Sequence, residues 1–188
     1  HTLIMLEGLR NPPLELALGV LLHDIGKPAT FRIADRIRFD GHVEKGVEIA
    51  RAMLNRLRYP GTVIEQVEAL IANHMKFKDV PAMRESRLKR FLRMPKFEEH
   101  LELHRLDCLS SHGSLENYDF ALRKLDEAPP EQLRPKPLIN GRDLIAAGFT
   151  PGPKFSIALH EAEDAQLEGR ASTREEALHI AITSITGS

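Results

Sequence analysis

The sequence predicts an all-α fold with one short β-hairpin, and three observations support this prediction. Apolar residues recur at helical spacing in nearly every segment of the chain. The segment from Leu14 to Ile25 is apolar nearly all round, which is typical of a buried central helix. Residues 31–39 alone alternate apolar and charged side chains. We therefore expect a helical bundle that carries one irregular insertion.

The next helices are predicted from apolar stripes and helix caps. A stripe from Val43 to Leu57 indicates a helix after the alternating segment. Thr62 and Glu65 have the spacing of a capping box, which would open a helix that reaches His74. Further helices are expected over Ser86–Arg93, Lys96–Ser110 and Ser114–Glu127.

The alternating segment is predicted to be a short hairpin or an irregular lid. Residues 31–33 and 37–39 flank a turn over residues 34–36. Successive side chains of a strand point to opposite faces, so the apolar residues are expected to face the body. The arginines Arg32, Arg36 and Arg38 are then expected to face outward, close in sequence to His23 and Asp24.

A proline-rich linker is predicted over residues 129–137, which contain four prolines. It would separate a main domain, residues 1–128, from a helical tail, residues 138–188. In the tail, helices are expected over Asn140–Ala147 and Phe155–Glu168. A last helix would be opened by Ser172 with Glu175.

Composition narrows the function classes. The 188 residues carry a net charge of −1, which excludes a uniformly basic nucleic-acid binder. Residues 76–96 nevertheless hold eight basic and two acidic side chains. One cysteine fits a reducing, cytoplasmic location, and no apolar run approaches the ~20 residues of a membrane span. The chain starts at His1 without a methionine, so we expect it to be part of a longer polypeptide.

The residues that carry chemistry centre on His23 and Asp24, side by side at the end of the apolar helix. Asp24 would be a buried carboxylate, which requires a cation. The candidate metal ligands are His1, His23, Asp24, His42, His74 and Asp107. Imidazole nitrogens and carboxylate oxygens without thiolates suit one or two divalent ions, and they do not distinguish Mg, Mn, Ni, Fe or Co.

Alternative roles remain open for several of these residues. His74 can be a core histidine bonded to a backbone carbonyl, His42 can contact substrate from a loop, and His1 can be a tag remnant. Lys27 is interpreted as a phosphate contact, or as a lysine that complements the dipole of a helix C-terminus. The remaining histidines lack an acid-paired inward setting and are expected to be surface or ordinary side chains: His100, His104, His112, His160 and His179.

The strings around these residues resemble a known family. Residues 21–27, LLHDIGK, with the histidines and the distant Asp107 in this order, resemble the HD superfamily of metal-dependent phosphohydrolases. Residues 39–46, FDGHVEKG, and tail strings such as residues 137–144, PLINGRDL, resemble the C-terminal HD domain of bacterial tRNA nucleotidyltransferases (CCA-adding and poly(A)-polymerase-like proteins). The HD resemblance covers residues 1–127, and the tail resemblance covers residues 137–178.

The resemblance implies a ligand arrangement and a chemistry. His1, His23, Asp24 and Asp107 would surround one ion, and Asp24 would bridge to a second ion held by His42 and His74. Asp24 and Lys27 would be the catalytic residues, with Lys27 adding positive charge near phosphoryl oxygens. The nucleotidyltransferase head, with its Gly-rich loop and paired aspartates, is absent, so the chain is not expected to add nucleotides.

Two functions are predicted from these features. The first is hydrolysis of a phosphomonoester or phosphodiester, with a 2′,3′-cyclic phosphate at an RNA end as one candidate substrate. The second is an RNA-positioning module for a tRNA nucleotidyltransferase, in which the metal site is secondary or inactive. Candidate substrate or RNA contacts are Lys27, Arg32, Arg84, Arg87 and Arg90, and Lys89 and Arg93 extend the basic face. That face can also be an ordinary solvated helix surface.

Overall fold

The computed structural model of the chain describes residues 1–187. These residues form α-helices and one small two-stranded sheet, so the predicted all-α class is confirmed. The elements in chain order are α1 (Thr2–Gly8), α2 (Leu14–Leu22), α3 (Lys27–Thr30), β1 (Arg32–Ile33), β2 (Ile37–Arg38), α4 (His42–Arg56), α5 (Gly61–Asn73), a 3-10 helix (His74–Ala82), α6 (Glu85–Leu92), α7 (Phe97–Ser110), α8 (Glu116–Glu127), α9 (Pro130–Leu133), α10 (Gly141–Ala146), α11 (Pro153–Leu167) and α12 (Arg174–Thr186). None of the helices described for residues 1–187 is long and apolar enough to cross a bilayer.

The chain forms two compact units. The first unit contains residues 1–81 and 96–123, and the second contains residues 82–95 and the chain from Lys124 onward. Helix α6 therefore groups with the C-terminal helices, although helices of the first unit surround it in sequence. The division at residues 129–137 that the prolines predict stays a prediction, and α9 lies within that stretch.

The first unit is built around α2 and α5. Helix α2 packs on α1, α5 and α7, and α4 packs on the other side of α5. Buried side chains fill the spaces between them, namely Met5, Leu16, Val20, Leu70, Leu103 and Leu106 in one cluster and Leu22, Ala50, Leu54, Ile64, Val67 and Ile71 in another. The prediction that α2 is buried all round is wrong at Leu14 and Leu21, which are exposed.

Two predicted helix caps differ from the observed ones, by two residues in α5 and by one residue in α12. Helix α5 begins at Gly61 after Pro60, and its cap position makes no side-chain hydrogen bond, so the predicted Thr62 capping box does not form. Helix α12 has a capping box, but Thr173 and Glu176 form it instead of Ser172 and Glu175. Both segments contain a hydroxyl residue and an acid at capping-box spacing, so the pattern locates each helix start only to within one or two residues.

The hairpin forms where it was predicted, but its faces are not as predicted. Strands β1 and β2 pair antiparallel, with Ile33 opposite Ile37. Phe31, Ile33 and Ile37 are 51%, 77% and 58% exposed, so the expectation that the apolar side chains face the body is wrong for these three, whereas Phe39 is half-buried. Two residues per strand are too few to lay a face on the unit, and ion pairs Arg32–Asp40 and Arg38–Asp35 brace the hairpin instead.

The second unit is built on α11 and α12, which pack along one another. Its core is rich in alanine, and small side chains allow the two helix backbones to approach closely. The buried members of this core are Ile139, Leu144, Ala158, Ala162, Ala165, Ala171, Ala177 and Ala181. Helix α6 also packs on α11 within this unit.

Candidate metal centre

Three histidines are fixed in the same way where helices of the first unit begin or end. His23 follows α2, His74 follows α5, and His42 is the first residue of α4. In each ring, Nδ1 donates to the carbonyl oxygen three residues earlier, at 2.8 Å for His23, 2.9 Å for His42 and 2.7 Å for His74. A carbonyl oxygen can only accept, so Nδ1 carries a proton in each ring and Nε2 is the nitrogen that would bind a metal, with its lone pair, when it is deprotonated.

His1, His23 and Asp107 form the first group of candidate ligands. Nε2 of His1 lies 3.3 Å from Nε2 of His23 and 3.1 Å from Oδ1 of Asp107. Ligand atoms that share one ion at about 2.0–2.2 Å lie roughly 3 to 3.6 Å apart, so the spacing fits a shared ion. Nδ1 of His1 is hydrogen-bonded to Oγ of Ser110 at 3.0 Å, and Ser110 therefore orients this ring.

Asp24, His42 and His74 form the second group. Oδ1 of Asp24 lies 3.7 Å from Nε2 of His42 and 3.8 Å from Nε2 of His74. The other oxygen, Oδ2, lies 3.2 Å from Nε2 of His23, so Asp24 links the two groups. All six candidate ligands are thus brought together as two sets of three, each with its ligand atoms within 4.8 Å of one another.

Two buried histidine nitrogens without hydrogen-bond partners indicate that these residues fit a divalent cation. Nε2 of His42 and Nε2 of His74 are buried and have no hydrogen-bond partner anywhere in residues 1–187. Buried polar atoms are nearly always paired, and these two nitrogens face the same carboxylate oxygen across 3.7 to 3.8 Å. A cation among them would give both nitrogens and that oxygen a partner.

The electrostatics of the centre keep Asp24 charged and His74 neutral. Burial opposes ionisation of Asp24, but hydrogen bonds from His23 and Lys27 outweigh it and hold the pKa of Asp24 far below its usual range. Burial also opposes protonation of His23, yet its hydrogen bond with Asp24 outweighs this effect and raises the pKa of His23. Burial lowers the pKa of His74, which favours the neutral ring that a metal requires.

Lys27 lies against the centre rather than at the end of the apolar helix. Its Nζ is 2.5 Å from Oδ2 of Asp24, and the residue begins α3. The interpretation of Lys27 as a charge that complements a helix C-terminus is therefore wrong, because the turn at residues 23–26 separates it from α2. Its ammonium group is placed beside the carboxylate that links the two ligand groups.

Glycines set how closely α3 approaches α4. A Cβ at Gly26 would overlap the carbonyl oxygen of His42 and stand 2.6 Å from the amide nitrogen of Gly46. Gly41 has φ 78°, in the left-handed region, immediately before His42. The sequence between the His-Asp pair and α4 therefore places glycine where the chain needs close approach or a left-handed turn.

Comparison with known proteins agrees with this geometry. Residues 2–111 match the HD domain family. The chain belongs to the HD domain family. It is 38% identical over 170 residues to a CC-adding tRNA nucleotidyltransferase of Thermus thermophilus, and 33% identical over 183 residues to an A-adding tRNA nucleotidyltransferase of Deinococcus radiodurans.

These matches cover 88% and 89% of the chain but only 39% and 42% of the two relatives, so the chain spans about two fifths of their length. No solved structure matches the chain.

Two other histidines of the HD domain are buried, so the expectation that they lack an inward setting is wrong for them. His100 and His104 face inward from α7, and burial lowers the pKa of each to about 4. The ring of His104 stacks on Phe77 with centroids 4.4 Å apart. Neither residue belongs to the two ligand groups found in residues 1–187. Histidine is found both on buried and on exposed faces of helices, so the sequence pattern did not show that these two side chains of α7 are buried.

A cleft of about 620 Å³ opens beside the metal centre of the HD domain. Lys27 and His42 belong both to its lining and to the centre. The cleft is also lined by Arg36, Phe39 and Lys78, which the sequence did not identify as site residues. Arg36 lies in the hairpin turn and Lys78 lies four residues after His74, so both are near the ligands in sequence.

Most of the arginines in and beside α6 form ion pairs with acidic residues of α11, in the second unit. Arg90 and Arg93 are 20% and 23% exposed and pair with Glu163. Arg84 and Arg90 also pair with Asp164, which is fully buried. The expectation that these cations all face solvent is therefore wrong, because α6 packs on an acidic stretch of α11.

Two further candidate contacts differ in their surroundings. Arg87 is exposed and lies in no ion pair with any residue from 1 to 187, so it keeps the outward position that was predicted. Arg32 is exposed and pairs with Asp40 at 2.6 Å, and the lining of the cleft does not include it. The assignments of Arg32, Arg84, Arg87 and Arg90 as RNA contacts stay predictions.

Proposed function

We propose that this HD domain is a metal-dependent phosphohydrolase that removes a terminal phosphate from an RNA end or opens a 2′,3′-cyclic phosphate there. The observation that carries the proposal is the arrangement of three Nε2 atoms, from His23, His42 and His74, around the ionised carboxylate of Asp24. Carbonyl hydrogen bonds fix all three rings before any metal binds. Such pre-organisation favours a catalytic metal site over a structural one that forms on binding.

The ligands divide into two sets that fit one or two divalent ions. His1, His23 and Asp107 would hold one ion, and Asp24 with His42 and His74 would hold the other. A bound divalent cation supplies Lewis-acid charge to phosphoryl oxygens and lowers the pKa of water. Asp24 contributes a carboxylate that remains ionised at neutral pH, so it needs no deprotonation to bind.

Lys27 has the role of a phosphate contact in this proposal. Its ammonium group lies at the wall of the cleft and is held by Asp24 at 2.5 Å. A cation fixed beside the centre before the substrate arrives stabilises charge on phosphoryl oxygens without reorganisation. Lys27 therefore orients and stabilises the phosphoryl group, and Asp24 positions Lys27.

The RNA substrate and the cellular setting are inferred from the relatives. Both are named as tRNA nucleotidyltransferases, and the similarity covers 88% and 89% of the present chain. We infer that the domain is part of a longer tRNA nucleotidyltransferase-like protein of the cytoplasm and acts on RNA ends. The single cysteine, Cys108, is buried, and a chain with one cysteine has no disulfide framework of the kind typical of secreted domains.

The experiment that tests this function is a hydrolysis screen on metal-free protein to which Mg²⁺, Mn²⁺, Ni²⁺, Fe²⁺ or Co²⁺ is returned. The substrates are p-nitrophenyl phosphate, bis-p-nitrophenyl phosphate and adenosine 2′,3′-cyclic phosphate. Turnover of at least one substrate, dependent on metal and lost in His74→Ala, supports the proposal. Absence of turnover with every metal, or turnover that His74→Ala retains, contradicts it.

A second candidate function is an RNA-positioning module within the longer protein. The names of the relatives and the exposed, unpaired position of Arg87 favour it. It is compatible with hydrolysis, because the proposed ligands lie in the first unit and Arg87 lies in the second. If the longer protein binds tRNA with the same affinity after Arg87→Ala, this role loses its main structural support.

A further inference from the structure

The cleft beside the metal centre is larger than a single phosphate group requires. Its volume of about 620 Å³ is within the range of about 300–1,000 Å³ that small-molecule sites occupy. It lies between strand β2, the start of α4 and the 3-10 helix, all of them in the first unit. The part of a substrate that extends beyond the scissile phosphate can therefore lie there.

The charges of the cleft indicate a second anionic group on that substrate. Four cations and two acids line it. Lys27 is held by Asp24, and Arg38 is held by Asp35 through two hydrogen bonds of 2.8 and 2.9 Å.

The other two cations, Arg36 and Lys78, are exposed and form no ion pair with any part of the chain that the structure describes. Of the two acids, Asp40 pairs with Arg32, a residue that does not line the cleft. Glu44 is therefore the one acid of the lining without such a partner among the described residues. The free charge of the wall is thus positive.

The apolar part of the cleft indicates a flat group beside these charges. Phe39 lines the cleft, and its ring centroid is 5.7 Å from Nζ of Lys27. Met75 is 38% exposed on the opposite element, the 3-10 helix. Proteins that bind single-stranded nucleic acids combine an aromatic side chain with cations in one groove, so that a base stacks on the ring and a phosphate lies against the cations.

We propose that the cleft is a nucleotide subsite: Phe39 stacks on the terminal base, and Arg36 and Lys78 bind the phosphodiester that precedes the scissile phosphate. This inference rests on the proposed function and specifies its substrate class as an oligonucleotide end. A mononucleotide with one phosphate would leave Arg36 and Lys78 unused. The hairpin turn that carries Arg36 then has a function in substrate selection.

Equilibrium binding in EDTA tests the subsite without any turnover. The ligands are the dinucleotide ApA with a 3′-phosphate, adenosine 3′-monophosphate and ADP, titrated against the wild-type chain. The variants are Arg36→Ala, Lys78→Ala and Phe39→Ala. The matched controls are Arg56→Ala and Lys76→Ala, because both residues are exposed cations of the first unit outside the cleft lining.

The subsite predicts that the dinucleotide binds at least about tenfold more tightly than the mononucleotide, since each charge-assisted hydrogen bond is worth about that factor. Arg36→Ala and Lys78→Ala should each reduce this preference, because each variant removes one of the two cations assigned to the phosphodiester. Phe39→Ala should weaken both adenosine ligands equally. The two control variants should keep the wild-type ratio.

Three results would overturn the subsite. The first is wild-type affinity for the dinucleotide in both Arg36→Ala and Lys78→Ala. The second is an equal loss for the dinucleotide and the mononucleotide in these variants, which would assign the cations to the scissile phosphate. The third is ADP binding as tightly as the dinucleotide with the same losses, which would indicate a free nucleotide. Failure of the hydrolysis screen leaves these binding ratios measurable, so the two proposals fail separately.

Discussion

Gly26 lies against the carbonyl group of His42 so closely that no side chain fits between them. The turn after His23 and Asp24 is thereby set directly on the first residue of α4. The same contact places the amide nitrogen of Gly46 next to Gly26, so two glycines fix the approach of α3 to α4. One short sequence, from His23 to Gly26, thus supplies ligands and determines where His42 lies.

Gly26→Ala is expected to lower both stability and metal binding. The added methyl group meets backbone atoms, which cannot rotate away, so α3 and α4 must separate and His42 must move. The cost should be about 3 kcal/mol or more, since overpacking against flexible side chains alone costs about 1–3 kcal/mol. Denaturant unfolding and metal titration measure the two effects.

Gly41→Ala is the matched control for this variant. A Cβ at Gly41 meets nothing within 4 Å, so its cost arises only from φ 78° and should be about 1–2 kcal/mol. Equal destabilisation by the two variants, or full metal binding in Gly26→Ala, would show that the close approach does not position His42.

Asp24→Ala should abolish metal binding and any hydrolysis. Asp24 is the one residue whose carboxylate oxygens face His23 on one side and His42 and His74 on the other among residues 1–187. Its removal takes a negative charge from both ligand groups and releases Lys27. Metal content by mass spectrometry and turnover of p-nitrophenyl phosphate are the measurements, and Asp126→Ala, an exposed residue of α8, is the control. Wild-type metal content in Asp24→Ala would contradict the assignment of Asp24 as a metal ligand.

The candidate site was largely predictable from the sequence, because ligands must be histidines and acids at inward positions of periodic helices. The orientation of each ligand was not predictable, since the acceptors are backbone carbonyls of Val20, Phe39 and Ile71, which any residue supplies. Ser110 was missed for a related reason, because a serine three residues after Asp107 carries no pattern of its own.

The faces of the hairpin and of α6 were predicted incorrectly for physical reasons. Alternation predicts which side chains share a face, but it does not show whether anything covers that face, and Ile33 and Ile37 are exposed. The cations of α6 looked solvated because their partners, Glu163 and Asp164, lie about seventy residues further along the chain. Long-range pairing of charges leaves no local signal.

His100→Leu is expected to stabilise the protein and to make it less sensitive to acid. Both ring nitrogens of His100 are buried and have no partner among residues 1–187, so replacing the ring with an apolar side chain should add about 1 kcal/mol. Burial lowers the pKa of His100 to about 4, against an ordinary value of 6.5. Between these pH values the unfolded chain takes up a proton that the folded chain refuses, so stability falls as pH falls.

Denaturant unfolding at pH 7, 6, 5 and 4 measures this effect. His100→Leu should lose part of the decrease in unfolding free energy that the wild type shows from pH 6.5 to pH 4. His179→Leu is the control, because His179 is exposed on α12. The same pH dependence in His100→Leu and in the wild type would contradict a neutral, unpaired His100.

Arg90→Ala and Arg87→Ala should separate stability from RNA binding. Arg90 and Arg84 both pair with the buried carboxylate of Asp164, so Arg90→Ala should cost less than the ~3–5 kcal/mol of a buried charge left without any partner, but well above ~0.5 kcal/mol. Arg87 is exposed and unpaired within residues 1–187, so its removal should change stability by less than about 0.5 kcal/mol. If Arg87 contacts RNA phosphates, Arg87→Ala should weaken tRNA binding by the longer protein and reduce its salt slope. A large loss of stability in Arg87→Ala would contradict its outward position.

The most direct test of the metal centre is a calorimetric titration of metal-free protein with Mn²⁺ or Ni²⁺ at pH 7.5, in the wild type and in His23→Ala. His23 lies 3.3 Å from His1 and 3.2 Å from Asp24, so its removal disrupts both ligand groups. We expect one or two sites per wild-type chain and loss of tight binding in His23→Ala. A wild-type chain that binds neither ion, or a His23→Ala chain that binds with wild-type affinity and stoichiometry, would contradict a metal centre at these residues.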